Sequence, residues 1–186
     1  MSAAAPPPAP ATKTAYSAAV VKGKETYIFF NNIDKLTKKP TIQYFKWEGD
    51  DGTRDTIRIG KTAIETENGP IAAAACPGKG GKLGLRVYYI KSGKIQEVGL
   101  DEDENNGKWR ADHMNASNIP VAPGSFLTAI GNSGLEELRK AANANEKTDK
   151  EAILRLYYHD AAEPEVVTAN TYSAGKQKWE PQYLQE

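Results

Sequence analysis

The chain has 186 residues, of which 39% are hydrophobic, so it is long enough for one or two ordinary domains with a real core. Its 24 basic and 24 acidic side chains cancel, and no basic cluster stands apart from acids, which argues against a nucleic-acid partner. Cys76 is the only cysteine, so an intrachain disulfide is excluded, and no Cys/His set predicts a metal site or another cofactor.

Residues 1–14 are rich in Ala and Pro and are predicted to form a disordered arm ahead of a single domain at 15–186. They lack the basic and leucine-rich regions of a secretion signal, so we expect a cytoplasmic or non-classically secreted protein. No apolar run approaches the roughly 20 residues of a membrane-spanning helix, and no insertion into a membrane is expected.

A cluster of β-branched and aromatic residues occurs three times along the chain. It reads Thr-Tyr-Ile-Phe-Phe at 26–30, Leu-Arg-Val-Tyr-Tyr at 85–89 and Leu-Arg-Leu-Tyr-Tyr at 154–158. Each cluster follows a segment of small and apolar residues, and these segments lie at 17–21, 70–76 and 125–130. Each cluster also precedes a second strand-like run, and these runs lie at 41–47, 94–100 and 165–172. A fourth short segment closes two of the units, at 108–110 and 178–180.

Four short strands joined by polar turns are typical of a propeller blade, so we predict an all-β propeller with three blades per chain. The repeats span about 15–65, 66–120 and 121–186. Small inner strands suit blades that converge on an axis, and Ala72 to Ala75 meet that demand. These alanines would alternatively form a helix, although Pro70 and Pro77 leave too little length for one. A β-sandwich is the alternative for the whole fold.

The third unit carries an insertion between Ile130 and Ile153. Within it, Ser133 and Glu136 have the spacing of a capping box, which predicts one short surface helix.

Three blades do not make a closed ring, because closed propellers contain about 4 to 8 blades. Two sheet faces would remain exposed, and exposed faces of that size invite association. We therefore expect a twofold homodimer that completes a six-bladed ring.

The second repeat, from Leu85 to Trp109, resembles the blades of the fungal fucose-specific lectins of the Aleuria type. Its Arg-Val-Tyr-Tyr, Lys-Ile-Gln-Glu and Gly-Lys-Trp strings carry the resemblance, which is strongest over 70–130. The resemblance implies a multivalent lectin that binds fucosylated glycans or glycoproteins and is not an enzyme. It also implies sugar pockets between blades, built from an Arg and a Glu of one blade and aromatic residues of the next. A guanidinium and a carboxylate can hydrogen-bond sugar hydroxyls, and an indole can cover the apolar face of the sugar.

The resemblance assigns the best site to Arg86 and Glu97, which are eleven residues apart, with Trp179 as the stacking platform. A second, weaker site would combine Arg155 and Glu165 with Trp47 of the other chain in the dimer.

In the first repeat, Tyr27 and Tyr44 replace the Arg and the Glu, so no pocket of the family type is expected there, although Trp109 would face it.

Other interpretations stay open at this point. Arg86 and Glu97 would also make an ordinary cross-strand ion pair, and Trp109 would also serve as a plain packing residue. The acidic run at 101–104 is interpreted as a solvated hairpin tip, because it lacks the spacing of a calcium loop. A propeller scaffold that has lost sugar binding and serves as a protein interaction platform is the alternative function. A glycosidase would need two opposed carboxylates, and no motif supports one.

Overall fold

Three four-stranded antiparallel sheets follow one another along the chain in the computed structural model, which describes residues 16–35, 37–77, 83–101, 105–112, 114–131, 153–173 and 178–183. Blade 1 consists of β1 (Ser17–Lys22), β2 (Glu25–Ile33), β3 (Pro40–Glu48) and β4 (Asp51–Thr56). Blade 2 consists of β7 (Ile71–Pro77), β8 (Leu83–Lys91), β9 (Lys94–Leu100) and β10 (Arg110–Ala111). Blade 3 consists of β11 (Thr128–Gly131), β12 (Ile153–His159), β13 (Val167–Ser173) and β14 (Lys178–Tyr183).

A 3-10 turn at Asn105–Gly107 and two further small elements complete the described structure. A hairpin of β5 (Arg58–Ile59) and β6 (Thr62–Ala63) follows blade 1, and a single helical turn, α1 (Met114–Ser117), follows blade 2. No helix within the described ranges is long and apolar enough to cross a membrane.

The first strands of the three blades, β1, β7 and β11, lie side by side at the centre, with β7 in the middle. Each sheet then adds its strands outward in chain order. This arrangement is a β-propeller, so the predicted fold class is confirmed and the β-sandwich alternative is wrong.

The core lies in the two junctions between blades, because the side chains of each strand alternate between its two faces. Blade 1 packs Tyr27 and Phe29 against Leu85 and Val87 of blade 2. On its other face, blade 2 packs Tyr88 into a second cluster with three side chains of β12, namely Leu154, Leu156 and Tyr158.

The alanines of β7 divide between the two junctions. Ala73 and Ala75 join the core toward blade 1, and Ala72 and Ala74 join the core toward blade 3. All four are buried on a strand that has neighbours on both faces, so the predicted strand is confirmed and the helix alternative is wrong.

The hairpin between β8 and β9 turns on Ser92 and Gly93, whose φ angles are 53° and 65°. Two successive positive φ values define the two-residue turn that matches the twist of antiparallel strands. Glycine adopts this conformation without the steric cost that a Cβ brings.

The structure differs from the sequence predictions in blades 1 and 3. Blade 1 has a fourth strand, β4, that its sequence did not reveal, because six mostly polar residues carry no apolar alternation. The strand β13 begins at Val167, two residues later than predicted. The arm at 1–14 and the helix predicted around Ser133 and Glu136 lie outside the described residues.

Candidate functional site

Arg86 and Glu97 lie on the same face of blade 2, in the junction with blade 3. The strand register pairs Arg86 with Gly99 and Tyr88 with Glu97, so these four positions share one face of the β8–β9 ladder. Trp179 of blade 3 meets Tyr88 edge to face, with the ring centroids 5.9 Å apart. The three residues that the sequence assigned to the best site therefore converge on this junction.

The Arg86 guanidinium is held mainly by two aspartates that the sequence analysis did not assign to the site. Its Nη1 and Nη2 donate to the two carboxylate oxygens of Asp101 at 3.0 and 2.9 Å. Its Nε lies 3.0 Å from Asp112 Oδ2 and 3.9 Å from Glu97 Oε1. The expected Arg86–Glu97 pairing is thus present, but it is the loosest of the three contacts.

A second arginine joins this cluster from β10. Arg110 Nη2 lies 2.8 Å from Asp101 Oδ2 and 3.3 Å from Asp112 Oδ2. Both aspartates therefore face two guanidinium groups, whereas among the described residues the cation nearest to Glu97 is Arg86, at the longer distance of 3.9 Å.

Glu97 is almost completely buried, at 2% exposure. Its Oε2 accepts a hydrogen bond of 3.0 Å from the Met114 amide at the start of α1. Burial, followed by the negative charge of Asp112, raises the pKa of Glu97 to about 7, in spite of the opposing effects of Met114 and Arg86. The carboxyl group therefore titrates near neutral pH.

Trp179 brings a buried donor to the same junction. The side chain is 7% exposed, and its indole N–H finds no hydrogen-bond partner among the residues that the structure describes. The Tyr88 hydroxyl lies beside Glu97 without a hydrogen bond of good geometry, and burial raises its pKa well above the usual range. Unpaired buried donors are uncommon in proteins, because each costs on the order of 1–3 kcal/mol, and they mark a place where a ligand oxygen would be stabilised.

The junction between blades 1 and 2 shows how the same positions look without such a site. The register places Tyr27 and Tyr44 where Arg86 and Glu97 stand in blade 2. Trp109 packs edge to face on Phe29 at 6.0 Å and against Tyr44 at 5.9 Å. Burial raises the pKa of Tyr44, and the neighbouring Trp109 indole partly opposes that shift. Aromatic side chains fill this junction, and the Trp109 indole is not among the buried groups that lack a partner in the part of the chain that the structure describes.

The pairing of Arg155 with Glu165 that the sequence suggested is not formed. Arg155 lies opposite Thr171 in blade 3, and the position equivalent to Glu97 is Ala169, opposite Tyr157. Glu165 is exposed in a turn two residues ahead of β13. Because β13 begins later than predicted, the acidic residue falls outside the strand and cannot share its face.

Trp47 lies on the outer face of blade 1, away from blade 2. Its register partner is Gly52, and a Cβ built on Gly52 would lie 2.8 Å from the indole Nε1, so the ring rests over that glycine. The equivalent pair in blade 3 is Tyr172 and Trp179. Blade 1 therefore carries its tryptophan on the third strand, with a glycine opposite, where blade 3 carries it on the fourth.

Asp101 corrects the interpretation of the acidic run as a solvated tip, since its side chain is buried against Arg86 and Arg110. Residues 102–104 lie outside the described ranges. The signal that would have revealed the aspartates is the pair of glycines on the same face, Gly84 and Gly99. A Cβ on either would collide with an aspartate oxygen, so only glycine leaves room for these carboxylates to reach the guanidinium.

The class that this arrangement defines is the β-propeller, and comparisons with solved structures point to particular members of it. One is AofleA from Arthrobotrys oligospora, with a TM-score of 0.62, 20% identity, and coverage of 90% of this chain and 41% of that chain. A second is a mutant of AofleA with three arginines replaced by alanine, with a TM-score of 0.59, 17% identity and the same coverage.

This chain thus spans about two fifths of the length of these structures, and the likeness is one of fold. The resemblance to the Aleuria-type lectins that the second repeat carries is confirmed at that level. No protein-family model matches the sequence, and no curated protein sequence does.

Proposed function

We propose that the protein is a carbohydrate-binding lectin whose site is the junction between blades 2 and 3, with L-fucose as the ligand. The observation that carries the proposal is the contrast between the two junctions. At the second junction the Trp179 indole N–H is buried without a partner among the described residues, beside Arg86 and Glu97, whereas at the first junction Trp109 is not among the buried groups that lack a partner. A sugar hydroxyl is an oxygen acceptor of the size and polarity that would satisfy this donor.

Each side chain of the site would then have a distinct role. Glu97 accepts hydrogen bonds from ring hydroxyls, and Arg86 donates to a hydroxyl or ring oxygen. Trp179 donates its indole N–H to a further hydroxyl, and the apolar part of its ring contacts the methyl group of the sugar. The Arg86 side chain is only 11% exposed, which favours a single terminal sugar over the middle of a long chain. Affinity at such a site is expected in the micromolar to millimolar range, roughly 4 to 8 kcal/mol.

Binding is tested by a glycan array followed by calorimetric titration with L-fucose. Replacing Trp179 by Phe keeps a ring but removes the N–H, and it should weaken binding several-fold, in line with about 1 kcal/mol for one hydrogen bond. The matched control is Trp109→Phe at the first junction, which should leave the dissociation constant unchanged. Equal effects of the two substitutions would refute the assignment of the site, and an array without any bound glycan would refute the function.

The proposal includes closure of the ring by a second copy. The outer face of blade 1 bears Ile28 and Phe30, which are equivalent to Val87 and Tyr89 of blade 2, and those residues pack on a neighbouring blade. The outer face of blade 3 bears Arg155 and is equivalent to the face of blade 2 that meets blade 3. The two outer faces are thus the two halves of one kind of junction.

Exposed apolar residues on these faces support a second copy as their partner. Val21 is 61% exposed on blade 1, and Ile130 is 54% exposed on blade 3. Arg54 lies over the Phe30 and Phe45 rings at 5.3 and 5.4 Å, so the blade 1 face also offers a cation at its rim. A closed dimer would carry two sugar sites of the kind described, and multivalent binding would follow.

Light scattering at micromolar concentration tests this part of the proposal. The wild-type mass should be that of a dimer, and Ile130→Asp should give the mass of a monomer. The control Ile59→Asp changes an exposed isoleucine on the β5–β6 hairpin, away from both faces, and should remain dimeric. A monomeric wild-type protein would contradict ring closure but not sugar binding at the second junction.

One observation favours the alternative function, a protein interaction platform without sugar binding. Asp101 and Asp112 already engage Arg86, and the first junction is filled by aromatic rings. A specific protein partner recovered in pull-downs, together with an array that shows no ligand, would establish this alternative.

A further inference from the structure

Arg86 is a preorganised group in this junction, because three elements fix it. Asp101 at the end of β9 takes both Nη atoms, Asp112 after β10 takes Nε, and the Leu85 carbonyl accepts a further hydrogen bond of 2.9 Å from Nη1. A guanidinium held on two edges in this way loses little freedom when a ligand binds.

Counted over the residues that the structure describes, the cluster holds more negative than positive groups. Glu97, Asp101 and Asp112 face Arg86 and Arg110, and the closest cation contacts, at 2.8 to 3.0 Å, all belong to the aspartates. Glu97 is left with a nitrogen at 3.9 Å. When three carboxylates share two guanidinium groups in a buried place, the one with the weakest cation contact is the one that retains a proton to the highest pH.

The other titratable groups that the structure describes around Glu97 do not offset this excess. The Tyr88 hydroxyl and the Cys76 thiol face it from β8 and β7, and Tyr172 approaches from blade 3. All three are neutral near pH 7, since burial raises the pKa of each above its usual range. Asp112 therefore has the largest influence among the charged neighbours of Glu97.

We propose that Asp101 and Asp112 are positioning residues of the sugar site and that Asp112 makes sugar binding depend on the proton of Glu97. This inference rests on the proposed function for its ligand, but the charge linkage is a property of the free protein as well. The ionised Glu97 accepts hydrogen bonds from sugar hydroxyls more strongly than the protonated form, so the ligand competes with the proton. Binding weakens as pH falls below about 7, by up to about tenfold per pH unit.

The test follows the Glu97 carboxyl by carbon-13 NMR in the free protein and measures the L-fucose dissociation constant from pH 5 to 8. Wild-type Glu97 should titrate near pH 7, and Asp112→Asn should move both this midpoint and the midpoint of the binding profile to lower pH. A merely structural role for Asp112 would weaken binding equally at every pH. Asp55→Asn, which removes an exposed carboxylate on β4, is the charge-matched control and should leave both profiles unchanged.

The outcomes separate the two proposals. A Glu97 titration in the ordinary carboxyl range, or one that Asp112→Asn does not move, would overturn the linkage. A shifted titration in a protein that binds no sugar at any pH would overturn the proposed function while the charge linkage between Asp112 and Glu97 stood.

Discussion

Replacing Glu97 by Gln should change how the stability of the protein depends on pH. The folded protein holds the Glu97 proton up to about pH 7, whereas an unfolded chain releases it near the ordinary value of 4.5. Between these values the folded state binds more protons than the unfolded state, so stability is highest at the acid end of the window and falls as pH rises through it.

The magnitude follows from the same two values. A difference between 4.5 and about 7, at about 1.4 kcal/mol per pH unit, gives a loss of at most about 3 kcal/mol in the free energy of unfolding. Glutamine resembles the protonated form and still offers an oxygen to the Met114 amide, so the variant keeps the contacts without titrating. Glu97→Gln should therefore lie close to the wild type at pH 4.5 and become more stable than the wild type by up to about 3 kcal/mol at pH 8.

Urea denaturation followed by tryptophan fluorescence, at about half-unit steps from about pH 4.5 to 8, measures this difference. Glu65→Gln, which removes an exposed carboxylate paired with Lys39, is the control and should follow the wild-type curve in shape. If the wild-type and Glu97→Gln curves run parallel across the whole range, the burial and charge argument for this junction is refuted.

Two further substitutions test the packing of the junction. Gly99→Ala places a Cβ against Asp112 and 3.1 Å from Arg86 Nη1. We expect it to lower the free energy of unfolding, measured in urea, by about 1–3 kcal/mol. The control Gly69→Ala places its Cβ in open space and should cost less than about 1 kcal/mol. Leu156→Ala leaves a cavity at a fully buried position between blades 2 and 3 and should lower the free energy of unfolding by about 2–5 kcal/mol. A loss below about 1 kcal/mol would contradict the tight packing of the two blades.

The architecture was predictable from the sequence because each blade repeats one strong local signal. The clusters at 26–30, 85–89 and 154–158 became β2, β8 and β12, and the small segments ahead of them became the central strands. A short continuous apolar run such as Ala72 to Ala75 indicates a strand buried on both faces, because a helix generally needs about 10 to 12 residues. The strand β4 was not predicted because it is mostly polar and exposed. Its position depends on backbone pairing with β3 and not on burial.

The site was predictable only in part. Arg86, Glu97 and Trp179 converge as the resemblance implied, but Asp101, Asp112 and Arg110 join them from a loop and an edge strand. These contacts bring together residues that no periodicity links. The prediction for Glu165 was wrong because β13 begins two residues later than the sequence suggested. Glu165 therefore lies ahead of the strand and not on the strand face that the spacing had assigned to it.

The three tryptophan indoles allow the central claim, that a sugar binds between blades 2 and 3, to be tested directly. Nitrogen-15 NMR resolves one indole N–H signal for each of Trp47, Trp109 and Trp179, and single Phe substitutions assign them. On titration with L-fucose, the Trp179 signal should shift and saturate at the lowest sugar concentration while the Trp109 signal stays in place, since of these two donors only the Trp179 N–H is a fully buried one without a partner among the described residues. A Trp179 signal that stays in place at saturating sugar, or a Trp109 signal that moves first, would contradict the account.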